Sequence, residues 1–507
     1  MIRLDLIAPV GALMQRNAAA TPDKPAYIDD DRSITWSALE AETGALARQL
    51  VESGLQPGQS VAIWLPNSVD WIVATFAVIR AGGVAVPVSC EATEQEAEYR
   101  IDDAAAALIF ADASIRPLLE QLAASGRTLP RVIWRDEGLP AQSASDVALP
   151  EEDIHAPAFI VYTSGTTGKP KGVILTVHSM LWVNAACWAP IAGLASDDVV
   201  LSPLPLFHSY AINIAVLGIL ATGATERIMA KFSPSRAIEI LQDGEATVLP
   251  GVPTMFHFLL LTAREKVVST LGRLRVCISA GAILPAALNR DFEAQFGVEL
   301  LDGYGITETS TMVTMNWPGK NRIHGSCGLP VPGMAVRIID PMTGLDRPRG
   351  EEGELICSGP NVMRGYLNKP EETAKVLRNG WYHTGDLARS DENGFLTITG
   401  RLKEIVIRGG QNISPAEVEE ALLGHPAVRD AAVVGIPHET LGEVPVAYVV
   451  WAERPVEFEL LISHCRSLLA PYKIPADMRE IDVIPRTGSG KTIRFKLREH
   501  YISISAS

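Results

Sequence analysis

The chain has 507 residues and a mass of 54.6 kDa, too long for one hydrophobic core and enough for about three folding units. Hydrophobic residues make up 47% and charged residues 20%, which excludes disorder and predicts a well-filled core. The formal net charge of −15 at pH 7 argues against a nucleic-acid or anionic-membrane binder, which needs a basic face. Any phosphate-bearing ligand must therefore be caught by local cations. The six cysteines, Cys90, Cys187, Cys277, Cys327, Cys357 and Cys465, stand far apart with no CxxC or Cys/His cluster. They read as reduced core thiols of a cytosolic protein, not as a zinc site or a disulfide framework. The first ten residues carry an Arg and a broken apolar run, unlike a signal peptide. The longest apolar stretch, 211–221, falls short of the roughly 20 residues that cross a bilayer. A soluble cytoplasmic protein is expected.

Short apolar runs alternate with amphipathic helices. Residues 61–65 read as a strand, 69–80 as a helix and 84–88 as the next strand, followed by strands at 107–110 and 132–134. The polar, proline-bearing segment 136–157 reads as a surface connection. Strands at 159–161 and 173–175 flank a glycine-rich loop; those at 246–249 and 275–279 run on to Gly251 and Gly281. Over 284–296, Leu284, Leu288, Phe292 and Phe296 recur every four residues, one stripe of a helix. Gly297 suits the left-handed position that ends it. Residues 298–301 read as a strand entering Asp302. Continuous apolar strands separated by helices predict an α/β protein with mostly parallel sheets covered on both faces. In such sheets ligands gather beyond the carboxyl ends of the strands. The last hundred residues read as a separate small α+β unit. Ser414-Pro415-Ala416-Glu417 fits a capping box, starting a helix that runs to Leu423 and stops at Gly424. A strand at 431–434 and a helix at 457–469 follow. The join is Gly400-Arg401-Leu402-Lys403-Glu404, giving a large 1–400 domain and a small 401–507 domain.

The strongest chemical signal is Tyr162-Thr163-Ser164-Gly165-Thr166-Thr167-Gly168-Lys169-Pro170-Lys171-Gly172. Glycines let backbone N–H groups turn toward an anion, hydroxyls donate further hydrogen bonds, and lysines neutralise charge. It is not a Walker A loop, because Pro170 follows Lys169 and a second strand, not a helix, comes next. The bland alternative is a flexible surface hairpin.

This loop, together with motifs spread in order from Tyr162 to Lys491, resembles the adenylate-forming superfamily. That superfamily contains acyl-CoA synthetases, peptide-synthetase adenylation domains and firefly luciferase. The resemblance implies a large N-terminal domain that binds ATP and the acyl substrate, with a small β-barrel-like part. It also implies a small mobile C-terminal lid. By resemblance, Thr163, Ser164, Gly165, Thr166, Thr167, Gly168, Lys169 and Lys171 belong to the phosphate loop. Asp302-Gly303-Tyr304-Gly305-Ile306-Thr307-Glu308 matches the adenine motif, where Tyr304 stacks on the purine and Asp302 accepts from its amino group. Thr307 touches the α-phosphate, and Glu308 and Thr163 hold Mg²⁺. Gly281 and Ala282 lie against the other adenine face. Asp386, in Trp381-Tyr382-His383-Thr384-Gly385-Asp386, accepts from the ribose hydroxyls, with Arg401 as the second ribose contact. Lys491, in Pro485-Arg486-Thr487-Gly488-Ser489-Gly490-Lys491, stabilises charge between α-phosphate and acyl oxygen. The lid turns about Lys403 and brings Arg408, Gly409 and Gly410 to the path of the CoA arm.

The acyl pocket is expected from His208, Tyr210, Val252, Pro253, Ser279, Ala280, Gly281, Thr309 and Val313. The stretches that hold them contain no Lys or Arg, whereas a second substrate anion needs a cation. An uncharged organic acid, aliphatic or aromatic, is therefore favoured, unless Arg322 and His324 fold inward. His208 stands where amino-acid-activating relatives carry an acidic residue, which counts against a peptide-synthetase role. The expected catalytic set is Lys491, Thr307, Glu308 and His208. The expected activity is an AMP-forming carboxylate–CoA ligase with ATP and CoA as co-substrates and Mg²⁺ as cofactor. Two rivals stay open: a ligase loading a carrier-protein phosphopantetheine, and a non-catalytic nucleotide-binding regulator. Assembly as a homodimer stays open as well.

Overall fold

The computed structural model describes residues 1–124, 128–137, 147–163, 170–409, 411–486 and 492–505. Two large sheets carry the N-terminal part. The first, nine-stranded, has its parallel centre in Glu299–Tyr304, Val276–Ser279, Val248–Gly251, Val199–Ser202, Thr225–Ile228 and Pro25–Ile28. Short antiparallel strands, Thr314–Met315 and Ser33–Thr35, adjoin this centre on its two sides. The second, seven-stranded, is parallel from Pro157–Thr163 through Val84–Pro87, Ser60–Trp64 and Leu108–Ala111 to Arg131–Trp134. Its antiparallel side holds Lys171–Thr176, which pairs with Pro157–Thr163 as a hairpin.

Most strand readings hold to within about two residues; 298–301 runs on to Tyr304, and 431–434 is the middle of the longer strand Val428–His438. The helix Val69–Arg80 has the predicted ends. Every residue of that helix except Asp70 is buried. It is apolar round most of its circumference because it lies within the main core, while Asp70 in its first turn pairs with Arg32 and Arg135. Ser68 caps it by accepting from the Trp71 N–H. Ala286–Phe296 ends as read, with Gly297 left-handed at φ +66°.

A third, five-stranded antiparallel sheet is built from Ala335–Ile339, Gly353–Ser358, Trp381–Ser390, Leu377–Arg378 and Leu396–Arg401. Ala335–Ile339, Leu377–Arg378 and Leu396–Arg401 are short and partly exposed, so they lack the apolar runs that marked the parallel strands. Beyond the join, Val406–Arg408, Gln411–Ile413, Val428–His438, Gly442–Trp451 and Asp477–Glu480 form the sheet of the smaller C-terminal domain. Helices Pro415–Leu423 and Phe458–Leu468 pack on it. The helix at Pro415 starts where expected, but no capping box forms. Ser414 Oγ instead donates to the Thr399 carbonyl, and Glu417 takes both hydrogen bonds of Lys473 at 2.6 Å. The cap residue thus ties the small domain to the strand before the join. Among the described residues, no helix is long and apolar enough to cross a membrane.

Glu226, in the central strand Thr225–Ile228, has no exposed surface and neither carboxyl oxygen makes a hydrogen bond. Burial pushes its carboxyl well above the ordinary value. The folded chain therefore keeps this proton over a range where the unfolded chain, titrating near pH 4.3, has lost it. Stability must then fall as pH rises from that point to the folded value, by about 1.4 kcal/mol per pH unit. Denaturant melts of Glu226→Gln and wild type between pH 5 and pH 7 are expected to diverge at that slope, wild type losing ground. Parallel curves would refute a protonated Glu226.

Candidate active site

Register brings the first part of the site together. Gly251 pairs with Ser279 and Ser279 with Asp302 across three parallel strands, so their carboxyl ends form one edge. Gly281, at φ +87°, turns the chain away just past Ser279. Asp302 is buried, and burial pushes its carboxyl well above the ordinary value, only partly opposed by the Gly303 N–H.

The Tyr304 hydroxyl donates to Asp386 Oδ2 at 2.5 Å, and Arg401 Nε reaches Asp386 Oδ1 at 3.0 Å. Asp386 and Arg401 are direct cross-strand partners in the five-stranded sheet. Burial first, then the Asp386 charge, raises the Tyr304 phenol well above its usual value, so it remains the donor. Burial would lower Arg401, but the Asp386 and Glu404 carboxylates outweigh it. Residues 82 positions apart in sequence are thus joined in one clamp around the buried Asp386. Glu354 orders the turn below it, accepting from the Gly385 N–H at 3.2 Å and pairing with His383 at 3.1 Å.

Thr307, Glu308 and Thr309 form one 3₁₀ turn. Ser310 and Thr311 follow in left-handed backbone, at φ +50° and +105°, a conformation non-glycine residues hold only under constraint. The constraints are visible. Asn361 Nδ2 donates to the carbonyls of Thr309 and Met312, at 2.8 and 2.6 Å. Thr307 Oγ1 lies 3.0 Å from Ser209 Oγ, and Thr311 Oγ1 donates to the Ser209 carbonyl at 3.1 Å. Glu308 Oε1 accepts from the Tyr366 hydroxyl at 2.9 Å.

Thr163 stands opposite Lys171 as the last pair between these two strands. Lys171 Nζ lies 4.8 Å from the Tyr366 ring centre and pairs with Glu372 at 2.7 Å. The Lys171 hydrogen bond, then that of Lys375, holds the Glu372 carboxyl down to about 2. Ser164, Gly165, Thr166, Thr167, Gly168, Lys169, Gly410 and Lys491 lie outside the described residues. Lys403 follows Arg401 in the short turn before Val406–Arg408, and Arg408 donates to the Tyr472 carbonyl at 2.9 Å.

The acyl-pocket residues lie around the same edge. Tyr210 is buried and donates to the Ile278 carbonyl at 3.0 Å, and its ring centre is 6.2 Å from that of Trp188. His208 starts the turn that carries it, Nδ1 accepting from the Tyr210 N–H at 3.4 Å. Val252, Pro253, Ser279, Ala280, Thr309 and Val313 are all buried. Arg322 pairs with Glu293 at 2.5 Å and Glu299 at 2.7 Å, and His324 with Glu293 at 3.0 Å. Both side chains are held by carboxylates on the helix Ala286–Phe296 and its following strand, so the Arg322 guanidinium is not a spare cation for a substrate.

Sequence reasoning placed Ser209 only in the acyl-pocket stretch 207–210, and did not single out Tyr366, Glu354, Asn213 or Asn361. One signal was available: Asn213 is the lone polar side chain inside the apolar run 211–221.

Relatives in sequence and fold show which class of protein carries these groups: an AMP-binding, adenylate-forming enzyme. The AMP-binding enzyme model matches residues 14–367 and the AMP-binding enzyme C-terminal domain model matches 417–491; the chain belongs to the AMP-binding enzyme family. It is 34% identical over 498 residues to a feruloyl-CoA synthase of Amycolatopsis sp, covering 97% of this chain and 99% of that one. The fold matches an anthranilate CoA ligase in complex with anthranoyl-AMP with TM-score 0.91, at 25% identity and 99% coverage of both chains. It also matches the o-succinylbenzoate CoA synthetase of Bacillus subtilis in complex with ATP and magnesium ion. That match has TM-score 0.86 and 30% identity, covering 96% of this chain and 98% of that one.

Proposed function

We propose that the protein is an AMP-forming carboxylate–CoA ligase for an organic acid that carries no second charge. A carboxylate oxygen attacks the α-phosphorus of ATP, and pyrophosphate leaves. The CoA sulfur, as thiolate, then adds to the acyl carbonyl carbon and AMP leaves. The observation that carries the reading is the Tyr304–Asp386–Arg401 clamp, one cross-strand step from the join. There Asp386 can accept from two vicinal ribose hydroxyls while Tyr304 presents its ring to the purine. Asp302 faces the adenine amino group, with Gly281 and Ala282 on the other side. Thr307 contacts the α-phosphate, and His208 stands beside the carboxylate. Lys491, with Lys169 and Lys171, offsets the charge that builds as two anions meet.

The donor set suits Mg²⁺. Glu308 offers a hard carboxylate whose Oε1 is held by Tyr366, and Thr163 offers a hydroxyl at the end of the strand Pro157–Thr163. Mg²⁺ is commonly held by one or two protein oxygens together with substrate phosphates and water. When bound it draws charge from the phosphates. We assign residues 1–400 to the substrate-binding domain and 401–507 to a lid turning about Lys403, which brings Arg408, Gly409 and Gly410 to the CoA arm. Cytoplasmic residence fits the six free cysteines.

Protein given ATP, Mg²⁺, CoA and a panel of fatty, benzoic and cinnamic acids is expected to form thioester, AMP and pyrophosphate. Ser279 Oγ and Ser310 Oγ, both buried without a hydrogen-bond partner, are a reason to include hydroxylated acids. A dicarboxylate is expected to react at least about 100-fold more slowly by kcat/KM, because its second charge stays unpaired. Thioester formed only on carrier-protein phosphopantetheine would replace CoA as acceptor. ATP binding with no acid-dependent pyrophosphate exchange would sink the ligase reading.

A further inference from the structure

Asn213 has no exposed surface, lies in a π-helical stretch, Ile212–Leu217, and is fully hydrogen-bonded. Trp188 Nε1 can only donate, and it meets Asn213 Oδ1 at 2.7 Å, which fixes the orientation of the amide. Nδ2 therefore faces two carbonyls, Met180 at 3.0 Å and Ser310 at 2.8 Å. Asn184, from a second π-helical stretch, Asn184–Trp188, donates to the same Oδ1 at 3.2 Å. π-Turns are uncommon and collect at functional sites; here two of them face each other through one amide.

The position of this amide gives it a role beyond packing. Ser209 and Asn213 are four residues apart, one above the other on a helical face. Both reach the loop after Tyr304: Ser209 at Thr307 and Thr311, Asn213 at Ser310. Between them stands Tyr210 of the acyl pocket. One helical turn thus carries a pocket wall and grips the left-handed turn that ends the Thr307–Glu308–Thr309 segment.

We propose that Asn213 is a positioning residue for adenylation, fixing the acyl pocket relative to the hydroxyl and carboxylate of Thr307 and Glu308. The proposal rests on the ligase reading above. Without the Nδ2 grip, the Ser310–Thr311 turn relaxes, and the acid still binds but is no longer aligned with the α-phosphorus. Misplacement of reacting groups by less than a bond length lowers kcat with little effect on ground-state binding.

The test compares Asn213→Leu, Asn213→Asp and Asn184→Ala, the last removing a donor to Asn213 without touching Ser310. Thermal stability, kcat and KM for acid-dependent pyrophosphate exchange, and the Mg²⁺ concentration at half-saturation are measured per folded enzyme. Asn213→Leu is expected to lower kcat about 30-fold or more, to leave KM for ATP within threefold and to raise the Mg²⁺ requirement. Asn184→Ala is expected to lose stability but keep kcat within threefold. Asn213→Asp keeps the shape and tests the point should the Leu variant not fold. Protonated, it can still donate to Ser310, so its kcat is expected to fall as pH rises, with a limb that wild type lacks. An Asn213→Leu enzyme with unchanged kcat, an Asn213→Asp enzyme with the wild-type pH profile, or equal kcat losses in Asn184→Ala would overturn the positioning role. A wild type without exchange would overturn the ligase reading and this role with it.

Discussion

Gly305→Ala is expected to remove acid-dependent pyrophosphate exchange altogether, with at most about 1% of wild-type kcat remaining, the loss expected when several preorganised groups move together. A methyl at this position would run into the Thr311 carbonyl and lie 2.6 Å from Met312 Cα. These are backbone atoms, so no rotamer change makes room. The chain can only accommodate the methyl by moving the Ser310–Thr311 turn, already in left-handed backbone and tied down by Asn361, Ser209 and Asn213. Overpacking of this kind costs about 1–3 kcal/mol or more, a sizeable share of a domain's stability. Gly303 is the control. A methyl there meets chiefly Met312 Cε and Met315 Sδ, the far ends of flexible side chains, so Gly303→Ala is expected to keep measurable exchange. If the two variants behave alike, close backbone approach is not what demands Gly305.

The contrast between these two glycines also shows how far the sequence could be read. Strand and helix positions were legible wherever an element was buried on both sides, because a continuous apolar run leaves few alternatives. Val69–Arg80 and the strands ending at Gly251, Ser279 and Tyr304 are examples. The motifs marked which residues gather at those ends, and the clamp of Tyr304, Asp386 and Arg401 brings together three of them. Antiparallel strands such as Ala335–Ile339 gave no comparable signal, since partly exposed strands mix polar and apolar residues. The supporting partners were hidden for a different reason. Tyr366, Glu354 and Asn361 act across long sequence separations, 58 residues between Tyr366 and Glu308, and no local pattern encodes such a pairing. Ser414 shows the converse. Its motif predicted a capping box, and a tertiary acceptor, the Thr399 carbonyl, won the hydroxyl.

Glu308→Gln is expected to lower kcat for acid-dependent pyrophosphate exchange about 100- to 1,000-fold, as loss of one aimed electrostatic group does. The substitution keeps size and shape. It also keeps an acceptor for the Tyr366 hydroxyl, 2.9 Å from Oε1. Burial, reinforced by the Glu308 charge, raises the Tyr366 phenol, so the tyrosine stays a donor and the turn should stay in place. What disappears is the full negative charge and the hard oxygen donor that suit Mg²⁺. The half-saturating Mg²⁺ concentration for exchange is therefore expected to rise at least tenfold, with thermal stability within a few degrees of wild type. Thioester formation from supplied acyl-adenylate and CoA has no triphosphate to neutralise, so its rate is expected to stay within tenfold of wild type. An equal fall in both half-reactions would assign Glu308 to holding the turn through Tyr366 and remove it from the metal site. An unchanged Mg²⁺ requirement, with only kcat reduced, would place the ion on other oxygens.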